Sequence, residues 1–120
     1  MKMIKSITRD MLGAAPDVLF VFGDNMAKRG LGGQAKEMRG EPNAVGVPTK
    51  LLPGMQPTDF FRDEDYDHAK VRIDAAFVRL FVHAAMGGEI VWPEAGIGTG
   101  LAELATRAPK IWNLIEKYRI

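Results

Sequence analysis

The sequence predicts a small α/β domain in which helices cover both sides of a parallel or mixed sheet. Three observations predict it. Strand-like and helix-like stretches alternate along the chain. The run Val18-Leu19-Phe20-Val21-Phe22 is continuously apolar, as in a strand buried on both faces. Two glycine-rich loops each follow such a strand and lead into a helix.

The elements follow in order. Residues 4–7 form a short first strand. Residues 18–22 form the second, bounded by Pro16-Asp17 and by Gly23-Asp24-Asn25. A polar, glycine-rich stretch over 23–33 runs into a short helix over 33–39, with Gly40 as its stop. Residues 44–47 make a third strand that ends at Pro48-Thr49-Lys50, and residues 51–64 read as an irregular connection. The clearest helix comes next. Ile73, Ala76, Phe77, Leu80, Phe81 and Ala84 recur at helical spacing, and Val71, Ala75, Val78, Val82 and Ala85 widen that face. Such a helix is expected to pack hard against the sheet and to end at Gly87-Gly88. Residues 89–92 form the last strand, 93–100 a loop, and Ile111, Leu114, Ile115 and Tyr118 mark a final helix with Pro109 in its first turn.

Composition narrows the function. With 120 residues, 47% hydrophobic and 26% charged, the chain is one ordinary globular domain, residues 1–120. No apolar run reaches the ~18 residues of a membrane span, and no secretory signal follows the basic N-terminus. There are no cysteines, which excludes disulfides, thiolate metal sites and cysteine nucleophiles. The only histidines are His68 and His83, too few for a three-histidine metal site. His83 reads as a packed or edge residue, His68 as part of a solvated helix start, and the seven methionines as core filler. The formal charge of +1 argues against a binder that works mainly by neutralising phosphates. An anion site would therefore be local and made from backbone groups. No metal or cofactor is expected.

The chemistry points to the two loops. In open α/β sheets ligands bind beyond the carboxyl ends of the strands. Glycines there let backbone N–H groups close on a phosphate. The loop at 22–35 holds Gly30, Gly32 and Gly33; the loop at 92–101 holds Gly96, Gly98 and Gly100. The competing reading is that these glycines only make tight turns. Neither a P-loop nor a strict Gly-x-Gly-x-x-Gly nor a nucleophile elbow is present.

At these loops the sequence resembles a compact, divergent macrodomain. Arg9-Asp10-Met11 is similar to that family's Gly-Asp-Ile element, and Gly23-Asp24-Asn25 to its asparagine-bearing strand end. Gly32-Gly33-Gln34-Ala35 is similar to its glycine stretch. Trp92-Pro93-Glu94-Ala95-Gly96-Ile97-Gly98-Thr99-Gly100 is similar to its Phe-Pro-x-x-x-x-Thr-Gly signature. Small phage-type proteins with Phe-Gly-Asp-Asn and Pro-Thr-Lys motifs look alike too. The resemblance implies a three-layer fold with a mixed central sheet flanked by helices, and binding of ADP-ribose with hydrolysis of ADP-ribosyl linkages. It implies a cytoplasmic protein, phage-encoded in a bacterial host.

The same resemblance distributes roles. Asp10 would take the adenine amino group and Met11 offer an N–H beside it. Asn25 would reach the distal ribose, with Asp24 helping to position it and a water. Gly32, Gly33, Gln34 and Ala35 would wrap that ribose, and Gly96, Ile97, Gly98, Thr99, Gly100 and Leu101 would hold the diphosphate. Gly98 is the position where an added side chain is expected to block the phosphate. Lys50 matches the lysine of one glycohydrolase branch and would be the nucleophile, its pKa lowered by burial or by Lys28 or Arg29. That branch's loop aspartate is absent: Ala102 stands there and Glu103 follows. Three classes stay open: a hydrolase, a non-catalytic module or sponge for an ADP-ribose-type nucleotide, and a nucleic-acid or interaction protein using Lys28-Arg29. The partner would be ADP-ribose or an ADP-ribosylated macromolecule, a nucleic acid entering only as such a substrate. A second subunit could complete the adenine wall of so short a chain.

Overall fold

The computed structural model describes residues 1–119 and builds one four-stranded sheet in the order β1-β4-β2-β3. The strands are β1 (Lys2–Ile4), β2 (Leu19–Asn25), β3 (Ala44–Lys50) and β4 (Ile90–Pro93). All three pairings are parallel, so the mixed sheet expected from the resemblance is not found. The reason is local. A helix returns the chain between each pair of successive strands, and such crossovers deliver the next strand in the same direction.

The helices are α1 (Arg9–Ala14), α2 (Ala35–Met38), α3 (Tyr66–Ala85), α4 (Leu104–Arg107) and α5 (Pro109–Arg119). Two short 3-10 turns, Pro57–Asp59 and Asp63–Asp65, interrupt the irregular connection before α3. The sequence reading has neither α1 nor α4, and it starts β1 too late. Thr8 carries the missed signal: its hydroxyl accepts from the Met11 N–H, which makes it the N-cap of α1. β3 runs on through Pro48 because it is an edge strand, where a missing N–H costs no ladder bond.

Alternate residues of the sheet face two cores. Phe20, Phe22 and Val91 pack with Leu12 of α1 and Ala35 and Met38 of α2. Val21, Val45, Val47 and Trp92 pack on the other face with Ile73 and Phe77 of α3 and Ile111 and Ile115 of α5. Of the methionines only Met38 is core, while Met1, Met3, Met11, Met55 and Met86 are exposed. α3 is also not apolar all round against the sheet. Ile73, Phe77 and Leu80 are buried, but Val71, Val78 and Val82 of the second set face outward. His83 sits at the edge, within 3.1 Å of the Glu89 carbonyl. No helix is long and apolar enough to cross a membrane among the described residues.

Buried Asn43 ties the first core together. Its Nδ2 donates to the carbonyls of Leu12, Ala15 and Val18 at 3.0, 3.0 and 3.1 Å, satisfying the end of α1 and the turn into β2. Asn43→Ala leaves buried carbonyls without their donor and is expected to cost ~1–3 kcal/mol, read as a lower urea midpoint with an unchanged slope. A loss below the error of that measurement would show that water takes over the bonds.

Candidate functional site

The parallel order sets where a cleft can form. From the end of β2 the chain turns to α2 on one face of the sheet; from the end of neighbouring β4 it turns to α4 and α5 on the other. Connections leaving adjacent strands in opposite directions open a crevice between them. Both glycine loops border that crevice, whose volume is about 280 Å³. Its floor contains Gly23, Thr49 and Lys50 at the strand ends.

Close approach explains Gly23. A side chain there would lie 3.1 Å from Thr49 Oγ1 and 3.5 Å from the Gly98 nitrogen, so the loop after β4 rests on the end of β2. A register shift between Asp24 and Asn25 then sets Asn25 opposite Lys50 at the mouth of the sheet.

Three side chains shape the loop after β2. Arg39 donates to Asp24 at 2.6 and 3.2 Å, to the Gly30 carbonyl at 2.8 Å and to the Arg29 carbonyl at 3.2 Å. Asp24 also accepts from the Asn25 N–H at 2.7 Å, and Asn25 Nδ2 donates to the Arg29 carbonyl at 2.7 Å. The polar groups of Asp24 and Asn25 thus close on the loop itself, and Arg39, which sequence reasoning missed, is its hub. The signal was present only as an arginine before the helix-stop glycine.

The loop after β4 is different. Gly96 and Gly98 have φ of +84° and +74°, and the Gly98 carbonyl accepts from the Leu104 N–H at 2.9 Å. Thr99 Oγ1 donates to the Ala95 carbonyl at 3.0 Å. Among the described residues, the N–H groups of Ile97, Gly98, Thr99, Gly100 and Leu101 have no protein acceptor. A run of unpaired N–H groups along one wall of a crevice is an arrangement that suits an anion.

Lys50 is 7% exposed and carries the site's buried cation. Its Nζ donates to the Gly54 carbonyl, touches Met55 Sδ at 3.7 Å and lies 4.4 Å from the centre of the Phe60 ring. Burial holds its pKa below the usual lysine value; Arg107 pushes the same way, while Asp59 and Glu103 oppose. The cation acting on Lys50 is thus Arg107, stacked 3.7 Å over the same Phe60 ring, and not Lys28 or Arg29. In the sequence Glu103 is only the residue beyond a missing aspartate. It adopts a left-handed backbone (φ +47°) at the start of α4, an unusual conformation for a non-glycine residue.

Of the sequence-predicted residues, Asp24, Asn25, Lys50, Gly32 to Ala35 and Gly96 to Leu101 all line the crevice. Asp10 and Met11 do not. They lie exposed in the first turn of α1, outside its walls.

Residues 2–118 match a family described as a family of unknown function, DUF7831. No curated protein and no solved structure matches the chain.

Proposed function

The chain belongs to the DUF7831 family, and we propose that its crevice binds ADP-ribose or a related NAD-derived nucleotide, in a reduced, three-layer version of the macrodomain. The observation that carries this reading is the row of unpaired N–H groups over Ile97 to Leu101, in a loop that lines the same crevice as the glycine loop after β2. The diphosphate lies along those N–H groups, and the distal ribose sits between Gly32-Gly33 and the Asn25–Lys50 pair. Arg29, which lines the same crevice, supplies an exposed counter-charge. The adenine extends over the open rim toward α1. The protein meets this nucleotide, free or attached to a macromolecule, in the cytoplasm of a phage-infected cell.

Hydrolysis of ADP-ribosyl linkages follows from Lys50. Its neutral amine attacks the anomeric carbon of the distal ribose, the carrier's oxygen leaves with the bonding pair, and water then frees the lysine. A depressed pKa serves this step, because more of the amine is neutral at a given pH. The rate is expected to rise with pH and to level off at a pKa below the ordinary lysine value. A non-catalytic sponge is the second reading. What favours it is that the Lys50 amine is already engaged by Gly54 and Met55.

One pair of measurements separates the readings. Calorimetric titration with ADP-ribose, ADP and cyclic ADP-ribose is expected to show saturable one-site binding, strongest for ADP-ribose. Lys50→Met is expected to keep that binding within about threefold, under 1 kcal/mol, while ending release of ADP-ribose from a modified carrier. Binding without release by the wild-type chain selects the sponge. No binding of any of the three nucleotides removes both readings.

A further inference from the structure

α3 carries two apolar faces, and the domain uses one. Opposite buried Ile73, Phe77 and Leu80, the side chains of Val71, Val78 and Val82 are 71%, 59% and 53% exposed. Ala75 and Ala85 are exposed on the same stripe. The five residues are separated by four, three, four and three positions. A helix that only covers a sheet has no use for a second stripe. Alternating three- and four-residue spacing is the seam of a two-stranded coiled coil.

The charges beside the seam select its occupant. With Ala75 and Val82 at a, and Val71, Val78 and Ala85 at d, the g positions are Asp67, Asp74 and Phe81. The e positions are Arg72, Arg79 and Met86. In a parallel pair each g side chain meets the e side chain five residues further along the other helix. Asp67 then meets Arg72 and Asp74 meets Arg79. Phe81 and Met86, 50% and 83% exposed in the single chain, meet each other. An antiparallel pair brings e to e and g to g, which sets arginine against arginine and aspartate against aspartate. The register is self-complementary only in the parallel arrangement.

We propose that a second copy of this chain docks on the outer face of α3, the two helices lying parallel about a two-fold axis. Asp67 and Arg72 make no side-chain hydrogen bond within the chain among the described residues, so both charges are available. Asp74 accepts from Lys70 and from the Tyr118 hydroxyl, and Arg79 donates one nitrogen to the Pro42 carbonyl. A carboxylate and a guanidinium each have capacity for a further partner. None of the crevice residues belongs to α3, so this inference stands apart from the nucleotide reading.

The test uses sedimentation and cysteine crosslinking. Wild-type protein is expected to sediment as a dimer that dissociates on dilution. Val78→Asp alters only an exposed side chain, so the fold should survive, and the dissociation constant is expected to rise more than about tenfold. Asp67→Arg and Arg72→Asp are each expected to weaken the dimer, and the double exchange to restore it. The chain has no cysteine of its own. Ala85→Cys is therefore expected to oxidise to a single disulfide-linked dimer, since the d positions of parallel helices face each other. A wild-type chain that stays monomeric at every concentration overturns the proposal. So does an Ala85→Cys protein that crosslinks only when mixed with Ala75→Cys, because antiparallel helices set a against d.

Discussion

Gly100→Val is expected to leave the protein folded and, with the proposed nucleotide in the crevice, to lower its affinity for ADP-ribose by at least about a hundredfold, a loss of ~2.7 kcal/mol or more. A Cβ at Gly100 meets no atom within 4 Å, and its backbone is not left-handed, so a valine costs the fold little. The residue lines the crevice within the unpaired N–H row, and a branched side chain there would hold the proposed diphosphate away from those donors. Gly98→Val is the contrasting variant. The sequence alone makes Gly98 the position where a side chain blocks the ligand. In the structure that side chain would instead lie 3.0 Å from Leu104 Cβ and Cδ2, on a backbone with φ +74°. Overpacking and strain each cost ~1–3 kcal/mol, so Gly98→Val loses the ligand by losing stability. Thr99→Ala removes one exposed internal bond, ~0.5–1.5 kcal/mol, and is expected to leave binding nearly intact. Thermal unfolding of the three variants beside calorimetry separates these effects. Wild-type affinity in folded Gly100→Val protein would mean that the N–H row does not hold the ligand.

Arg39→Ala is expected to destabilise the protein by ~3–5 kcal/mol. The Asp24 side chain is 9% exposed and its ion pair with Arg39, at 2.6 Å, is the least exposed among the described residues. Removing the guanidinium leaves a carboxylate desolvated without its partner, frees the Gly30 carbonyl and leaves the Arg29 carbonyl with its bond from Asn25 alone. Arg39→Lys keeps the charge but cannot reach all four acceptor atoms as a planar fork, so it recovers only part of the loss. Asp24→Asn with Arg39→Ala is expected to be more stable than Arg39→Ala alone, because no uncompensated charge remains. Urea unfolding of the set measures this. A single-variant loss under about 1 kcal/mol would place the pair among solvent-screened ones.

Much of the site was legible because its signals are short-range. Glycine clusters after apolar runs mark loops at strand ends, whatever the rest of the fold does. Lys50, which the sequence placed just past a short third strand, closes a longer β3 for the same reason, since Pro48 does not end an edge strand. α1 was not legible because Thr8-Arg9-Asp10 serves equally as a strand-end motif and as a capped helix start. As a strand end it conceals a six-residue helix and with it the argument for a parallel sheet. Arg39 gave no signal because its four acceptors lie nine to fifteen residues away.

By itself the sequence determined the alternation of strands and helices, the buried strand over 18–22, the long helix and the two glycine loops. Each rests on side-chain periodicity or backbone freedom within about a dozen residues. Tertiary structure alone decided the order β1-β4-β2-β3, and therefore that the two loops border one crevice while Asp10 and Met11 stay outside it. It alone decided which apolar face of α3 is covered. Two apolar stripes lie on the helix, and the sheet buries the one that carries Ile73, Phe77 and Leu80. Periodicity says that a face is apolar, whereas burial depends on what the remote chain brings to it.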